Sequence, residues 1–118
     1  MQMSNQQIEE RMIQLPSEIA KACDGAIDAE EYWANAKADY ENEFDRQYLI
    51  LKASNEGATV RELECMARQA THELRLAAIV AESKFKGLKN KAEKLKTAFS
   101  ACQSSIKLRV VEMQSIGG

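Results

Sequence analysis

Residues 74–113 read LRLAAIVAESKFKGLKNKAEKLKTAFSACQSSIKLRVVEM, and this stretch decides the fold. Ala78, Phe85, Ala92, Phe99, Ile106 and Met113 recur every seven residues, with Leu74, Ala81, Leu88, Leu95, Cys102 and Arg109 forming a second row between them. The two rows alternate in steps of three and four over about five heptads. That is the pattern of one long helix with a continuous packing seam. The predicted helix covers about 59–115. Gly87 lies inside it and costs ~1 kcal/mol relative to Ala, which makes it a soft spot beside the seam and not an end.

Immediately upstream, Thr59-Val60-Arg61-Glu62 matches a capping box, and Ala58 with Leu63 forms a weak hydrophobic staple around it. Ser54-Asn55-Glu56-Gly57 is the mid-chain turn signal, with Gly57 able to take positive φ. A helix–helix turn is therefore expected at 54–58. Before it, Ile19, Ala26, Trp33 and Tyr40 are spaced by seven, Ala22, Ala29 and Ala36 form the companion row, and Phe44 and Leu51 continue the apolar face. This predicts a second helix over 17–53. At the start, Ser4 and Gln7 fit another capping box, and Ile8, Met12 and Leu15 predict a short helix over 4–15. Pro16, the only proline, lacks an N–H and disfavours helical geometry at Leu15, so a break is expected there, with Ser17 capping the second helix.

The expected architecture is thus all-α: a single domain over 1–118 built as a long, coiled-coil-like antiparallel hairpin with a short N-terminal helix. Composition agrees. The 118 residues are 45% hydrophobic and 29% charged, and one Pro and five Gly provide too little turn chemistry for an all-β or α/β fold. No apolar run approaches the roughly 20 residues of a membrane helix, and Met1–Gln7 lacks the apolar core of a signal peptide. Three Cys at unrelated spacings make neither a disulfide framework nor a CxxC pair, which points to a reducing, cytoplasmic location.

Charge divides sharply along the chain. Residues 1–58 hold 5 Lys/Arg and 12 Asp/Glu, a net of −7, whereas residues 59–118 hold 11 and 6, a net of +5. Folding back at 54–58 brings residue i opposite a residue near 112 − i. The lysines at 84–96 then face Glu18, Asp24, Asp28, Glu30 and Glu31, and opposite charges beside an apolar seam favour this orientation. Leu49, Ile50, Leu76, Ile79, Val80, Leu108, Val110 and Val111 fall largely outside the seams. Association into a dimer or larger homo-oligomeric bundle is the expected way to cover them.

Two groups of side chains stand out as candidate binding sites. Lys84, Lys86, Lys89, Lys91, Lys94 and Lys96, with Lys107 and Arg109, place eight basic side chains within 84–109 against one acidic residue, Glu93. Such a stripe suits phosphate contacts, because neutralising phosphates releases counterions and drives sequence-independent nucleic-acid binding. The same lysines also suit pairing with the acidic helix or simple solvation. Phe85 and Phe99 lie on the apolar row and so read as core, not as platforms for bases. Tyr32, Trp33, Tyr48 and Ile50 are the candidate protein interface, since aromatic side chains anchor hot spots.

No catalytic residue, metal site, cofactor or small-molecule substrate emerges. His72 has no ligand partners at suitable spacing, Cys23, Cys65 and Cys102 read as small apolar fillers, and Asp39, Glu41, Glu43 and Asp45 read as a solvated face. A non-enzymatic protein is expected. The small secreted hairpin dimers of the WxG type carry their Trp in the inter-helix turn. Trp33 lies some twenty residues before Ser54, so that class is excluded.

The stretch Tyr40–Lys52, the short Ser54–Gly57 turn, and the tail Phe99-Ser100-Ala101-Cys102-Gln103-Ser104-Ser105-Ile106-Lys107-Leu108-Arg109 ending near Met113 resemble small helical accessory proteins of bacteriophages. Among these, the layout is similar to the T4-type recombination mediators, which load recombinase onto single-stranded DNA. The resemblance covers over half the chain through helix layout and a few residue types. It implies a ring-like oligomer in the host cytoplasm that binds single-stranded DNA through the lysine-rich helix and touches a recombinase and a single-strand-binding protein. The alternative is a protein-binding helical module, either a phage inhibitor of a host protein or an assembly factor, with no nucleic-acid binding.

Overall fold

A computed structural model describes the backbone of residues 4–117 and the side chains of residues 4–114; the start at Met1–Met3 lies outside the described residues. The order is α1 (Asn5–Ser54), α2 (Val60–Ala70) and α3 (His72–Gly117), with no strand among the described residues. The chain is an all-α helical hairpin. Both capping signals form. Ser4 N–H donates to Gln7 Oε1 at 2.9 Å and Gln7 N–H donates to Ser4 Oγ at 3.2 Å, the reciprocal pair of a capping box. At the start of α2, Glu62 N–H donates to Thr59 Oγ1 at 3.1 Å.

The turn lies where the sequence places it. Asn55 donates to the Leu51 carbonyl from both its backbone N–H (2.9 Å) and its side-chain amide (2.8 Å), and Ser54 Oγ donates to the Ile50 carbonyl at 2.9 Å. These bonds satisfy carbonyls that the end of α1 would otherwise leave orphaned. Gly57 then takes φ +87°, a left-handed conformation that a side chain would strain.

Two expectations about helix boundaries need correction. Pro16 does not separate two helices: α1 runs through it from Asn5 to Ser54. The reason is packing. Ile8, Met12, Leu15, Ile19, Ala22 and Ala26 keep one heptad phase across the proline, and Leu15 is completely buried. Pro16 itself is exposed, so its ring displaces no core side chain, and the cost is the missing donor to the Met12 carbonyl. Arg11 also reaches over it, its Nη1 3.2 Å from Glu18 Oε1. Burial of Leu15 and its neighbours, at ~2 kcal/mol or more each, offsets the ~3 kcal/mol that proline costs inside a helix.

The second correction concerns the returning arm, which is interrupted at Thr71; Gly87, as expected, is not an end. Thr71 has φ −113°, its N–H donates to the Ala67 and Arg68 carbonyls, and its Oγ1 donates to the Ala67 carbonyl at 2.8 Å. A threonine that bonds back to the preceding turn in this way gives the Ala67 carbonyl a second donor beside the regular N–H. Gly87 sits in unbroken helix.

The described chain divides into two compact units. In the first, residues 4–26 and 87–117, Ile8, Leu15 and Cys102 form the buried centre, with Met12, Ile19, Leu95, Ala98, Phe99 and Ile106 packed against it. The start of α1 thus packs on the end of α3, as an antiparallel hairpin requires. In the second, residues 27–86, Leu63, Ala67, Thr71, Ala81 and Ala29 are buried and the Trp33 ring stacks on Phe85. No described helix is long and apolar enough to cross a membrane.

Candidate nucleic-acid interface

The seam of α3 determines where its lysines go. Ala81, Phe85, Leu88, Ala92, Leu95, Phe99, Cys102 and Ile106 are buried or half-buried along the helix, in the two rows expected from the heptads. On a helix of ~3.6 residues per turn, the residues beside these rows flank the seam and the remaining ones face away. In the first unit Lys89 and Lys96 flank one side, Lys91 flanks the other, and Lys94 and Lys107 face outward. All five are exposed. Lys91 borders a shallow hollow of ≈ 320 Å³ lined also by Glu18, Lys21, Ala22, Leu88 and Leu95.

The expected pairing of these lysines with the acidic helix does not form as direct ion pairs. Arg11–Glu18, Glu43–Arg46, Glu64–Arg68 and Glu82–Lys86 each join residues of a single helix. Glu18 is held by Arg11 even though Lys91 shares its hollow. Among the described residues, Lys84, Lys89, Lys91, Lys94, Lys96 and Lys107 have no carboxylate within 4.0 Å. In the second unit Lys84 is exposed, whereas Lys86 is tied to Glu82 at 2.7 Å, one turn back. Arg109 lies half-buried on the inward row and is already engaged.

Neither phenylalanine of α3 is available to a base. Phe85 lies under Trp33 with ring centroids 5.6 Å apart, and Phe99 packs against the Leu15 cluster. Any polyanion on this helix would therefore meet ammonium groups and lysine stems without aromatic platforms.

The candidate protein-interface residues are not gathered into one patch. Tyr32 is 66% exposed and Ile50 46% exposed, but Tyr48 is half-buried and Trp33 is turned inward onto Phe85 with Lys37 Nζ 5.9 Å from its ring. Among the described residues no group of three or more His, Cys, Asp or Glu is arranged to hold a metal ion. The feature that heptad reading misses is Thr71, whose signal is a polar residue on the seam row between Ala67 and Ala78.

Fold and site together define a class: an all-α helical hairpin whose returning arm carries exposed, unpaired lysines. No protein-family model, curated protein or solved structure matches the chain.

Proposed function

We propose that this chain is a non-enzymatic, oligomeric helical protein that binds single-stranded nucleic acid along the lysine face of α3. In this reading it acts in the cytoplasm of a bacteriophage host as a recombination accessory, handing DNA to recombination proteins. One observation carries the reading. Lys89, Lys91, Lys94, Lys96 and Lys107 are exposed on one helix, with no carboxylate within 4.0 Å among the described residues. Hairpin stability does not use them as ion-pair partners, so they are free for phosphates. With both phenylalanines inside, contact is through charge alone, and charge contact is independent of base sequence and steeply salt-dependent.

The test is titration of labelled single-stranded DNA with the wild type and with the double variant Lys91→Glu/Lys94→Glu, at several salt concentrations. About four phosphate contacts correspond to a slope of roughly −3 in log K against log salt. The expected result is that slope for the wild type and loss of binding for a variant of unchanged helicity. Undiminished binding by the variant would sink the reading.

A second reading, a protein-binding module such as an inhibitor or assembly factor, draws support from the exposure of Tyr32 and Ile50. It becomes the leading one when the wild type binds no DNA even at low salt.

A further inference from the structure

We propose that the hollow between α1 and α3 in the first unit is a phosphate seat, in which Lys21 of α1 joins Lys91 of α3 in holding the backbone of a bound strand. The proposal rests on the nucleic-acid reading above and extends its site onto α1. Lys21 and Lys91 line the same hollow of ≈ 320 Å³, together with Ala22, Leu88 and Leu95. Both lysines are exposed, and neither has a carboxylate within 4.0 Å among the described residues. The one carboxylate lining the hollow, Glu18, is already compensated, because Arg11 Nη1 lies 3.2 and 3.3 Å from its two oxygens. Two positive charges are left over where the helices meet, and a concave surface of one sign gathers the opposite ion.

A second observation marks the same place. Among the described residues, Gly25 and Gly87 are the two glycines in helix interiors. Gly25 follows Lys21 by four residues and Gly87 precedes Lys91 by four, so on each helix the next position along the lysine's side carries no side chain. A Cβ at either glycine would meet nothing within 4 Å, so neither is required by a turn or a close helix approach. Each costs ~1 kcal/mol relative to Ala, and what the two provide is open backbone beside both lysines. Lys94, three residues past Lys91, continues the charge onto the outer face of α3. A strand following these cations crosses from Lys94 through the hollow to Lys21. Lysines serve phosphates as point charges, whereas the guanidinium that would grip a carboxylate is here engaged by Glu18. Phosphates are therefore favoured over an acidic peptide.

The experiment titrates labelled single-stranded DNA, at several salt concentrations, with the full-chain wild type, Lys21→Gln, Gly87→Leu and, as a charge control, the exposed Lys52→Gln of the second unit. Lys21→Gln is expected to weaken binding severalfold at low salt and to make the slope of log K against log salt shallower by about 0.7, the loss of one phosphate contact. Gly87→Leu keeps every charge but fills the open space, and is expected to weaken binding with helicity unchanged. Lys52→Gln is expected to match the wild type, and polyglutamate to compete far less well than unlabelled DNA. Wild-type binding by Lys21→Gln or Gly87→Leu, an equal loss in Lys52→Gln, or equal competition by polyglutamate would each overturn the proposal. A wild type that binds no DNA even at low salt removes the nucleic-acid reading and the seat together. Binding that needs Lys91 and Lys94 but not Lys21 removes the seat alone.

Discussion

The indole of Trp33 lies over the ring of Phe85, with centroids 5.6 Å apart and planes within 15° of parallel. The pair joins α1 to α3 across the second unit, in a layer otherwise built from Ala29, Ala81 and similarly small residues. Small side chains bury little area, so the aromatic pair supplies a disproportionate share of the packing there. Replacing Phe85 by Ala is expected to cost about 2–3 kcal/mol, below the full cost of a buried phenylalanine because both rings are only half-buried. Trp33 is the only tryptophan, so its fluorescence in urea reads the loss directly.

The three described glycines before the C-terminus behave in opposite ways. Gly57 holds φ +87°, and alanine there is expected to destabilise by about 1 kcal/mol despite open space around it. Gly25 and Gly87 are helical, and a Cβ at either meets nothing within 4 Å. Gly87→Ala and Gly25→Ala are therefore expected to stabilise by about 0.5–1 kcal/mol each, seen as higher urea midpoints with unchanged slopes.

Pro16 is tolerated because its surroundings hold the helix through it, not because the position favours it. Pro16→Ala restores the missing donor to the Met12 carbonyl at a position that is itself exposed. Its expected effect is a gain in stability of about 1–3 kcal/mol, checked by thermal unfolding. A loss of stability would mean that α1 needs a bend at this point.

Glu43 provides a pH test. Hydrogen bonds from Arg46 (2.8 and 3.0 Å) and Gln47 (3.0 Å) hold its carboxyl down at about 2, against an ordinary value of 4.5. A lowered folded value means the proton binds more tightly to the unfolded chain. The contribution is therefore complete above about 4.5 and is lost as pH falls toward 2. Arg46→Met removes the main cause, and the Glu43 carboxyl resonance is then expected to titrate nearer 4.5 by NMR.

Much of this molecule is written in its heptads. Alternating steps of three and four along 78–106 named nine residues that are all buried or half-buried, and missed Ala98, which packs beside the rows against the Leu15 cluster. Short-range chemistry at Ser4, Thr59 and Gly57 placed two helix starts and the turn, since each acts through hydrogen bonds or dihedral preferences within a few residues. The continuity of α1 was not read from the sequence, where Pro16 predicted a break. The phase of Ile8, Leu15 and Ala22 passes unchanged across Pro16, and the pull of a shared packing face outweighs a local dihedral preference.

Tertiary structure decided what local pattern cannot express. Thr71 interrupts the returning arm at a buried position, where its backbone N–H and its Oγ1 both donate to the Ala67 carbonyl. The sign of each half of the chain comes from composition, but whether a given lysine touches a carboxylate depends on rotamers and on which cation is nearer, as Arg11 shows by taking Glu18. The all-α hairpin and its seam are thus properties of the sequence alone. So is the exposure of Leu49, Ile50, Leu76, Ile79, Val80, Leu108, Val110 and Val111, which fall outside the heptad rows. Which cations stay unpaired is settled only by three-dimensional packing, because ion pairing is a contest among neighbours that the chain brings together only on folding.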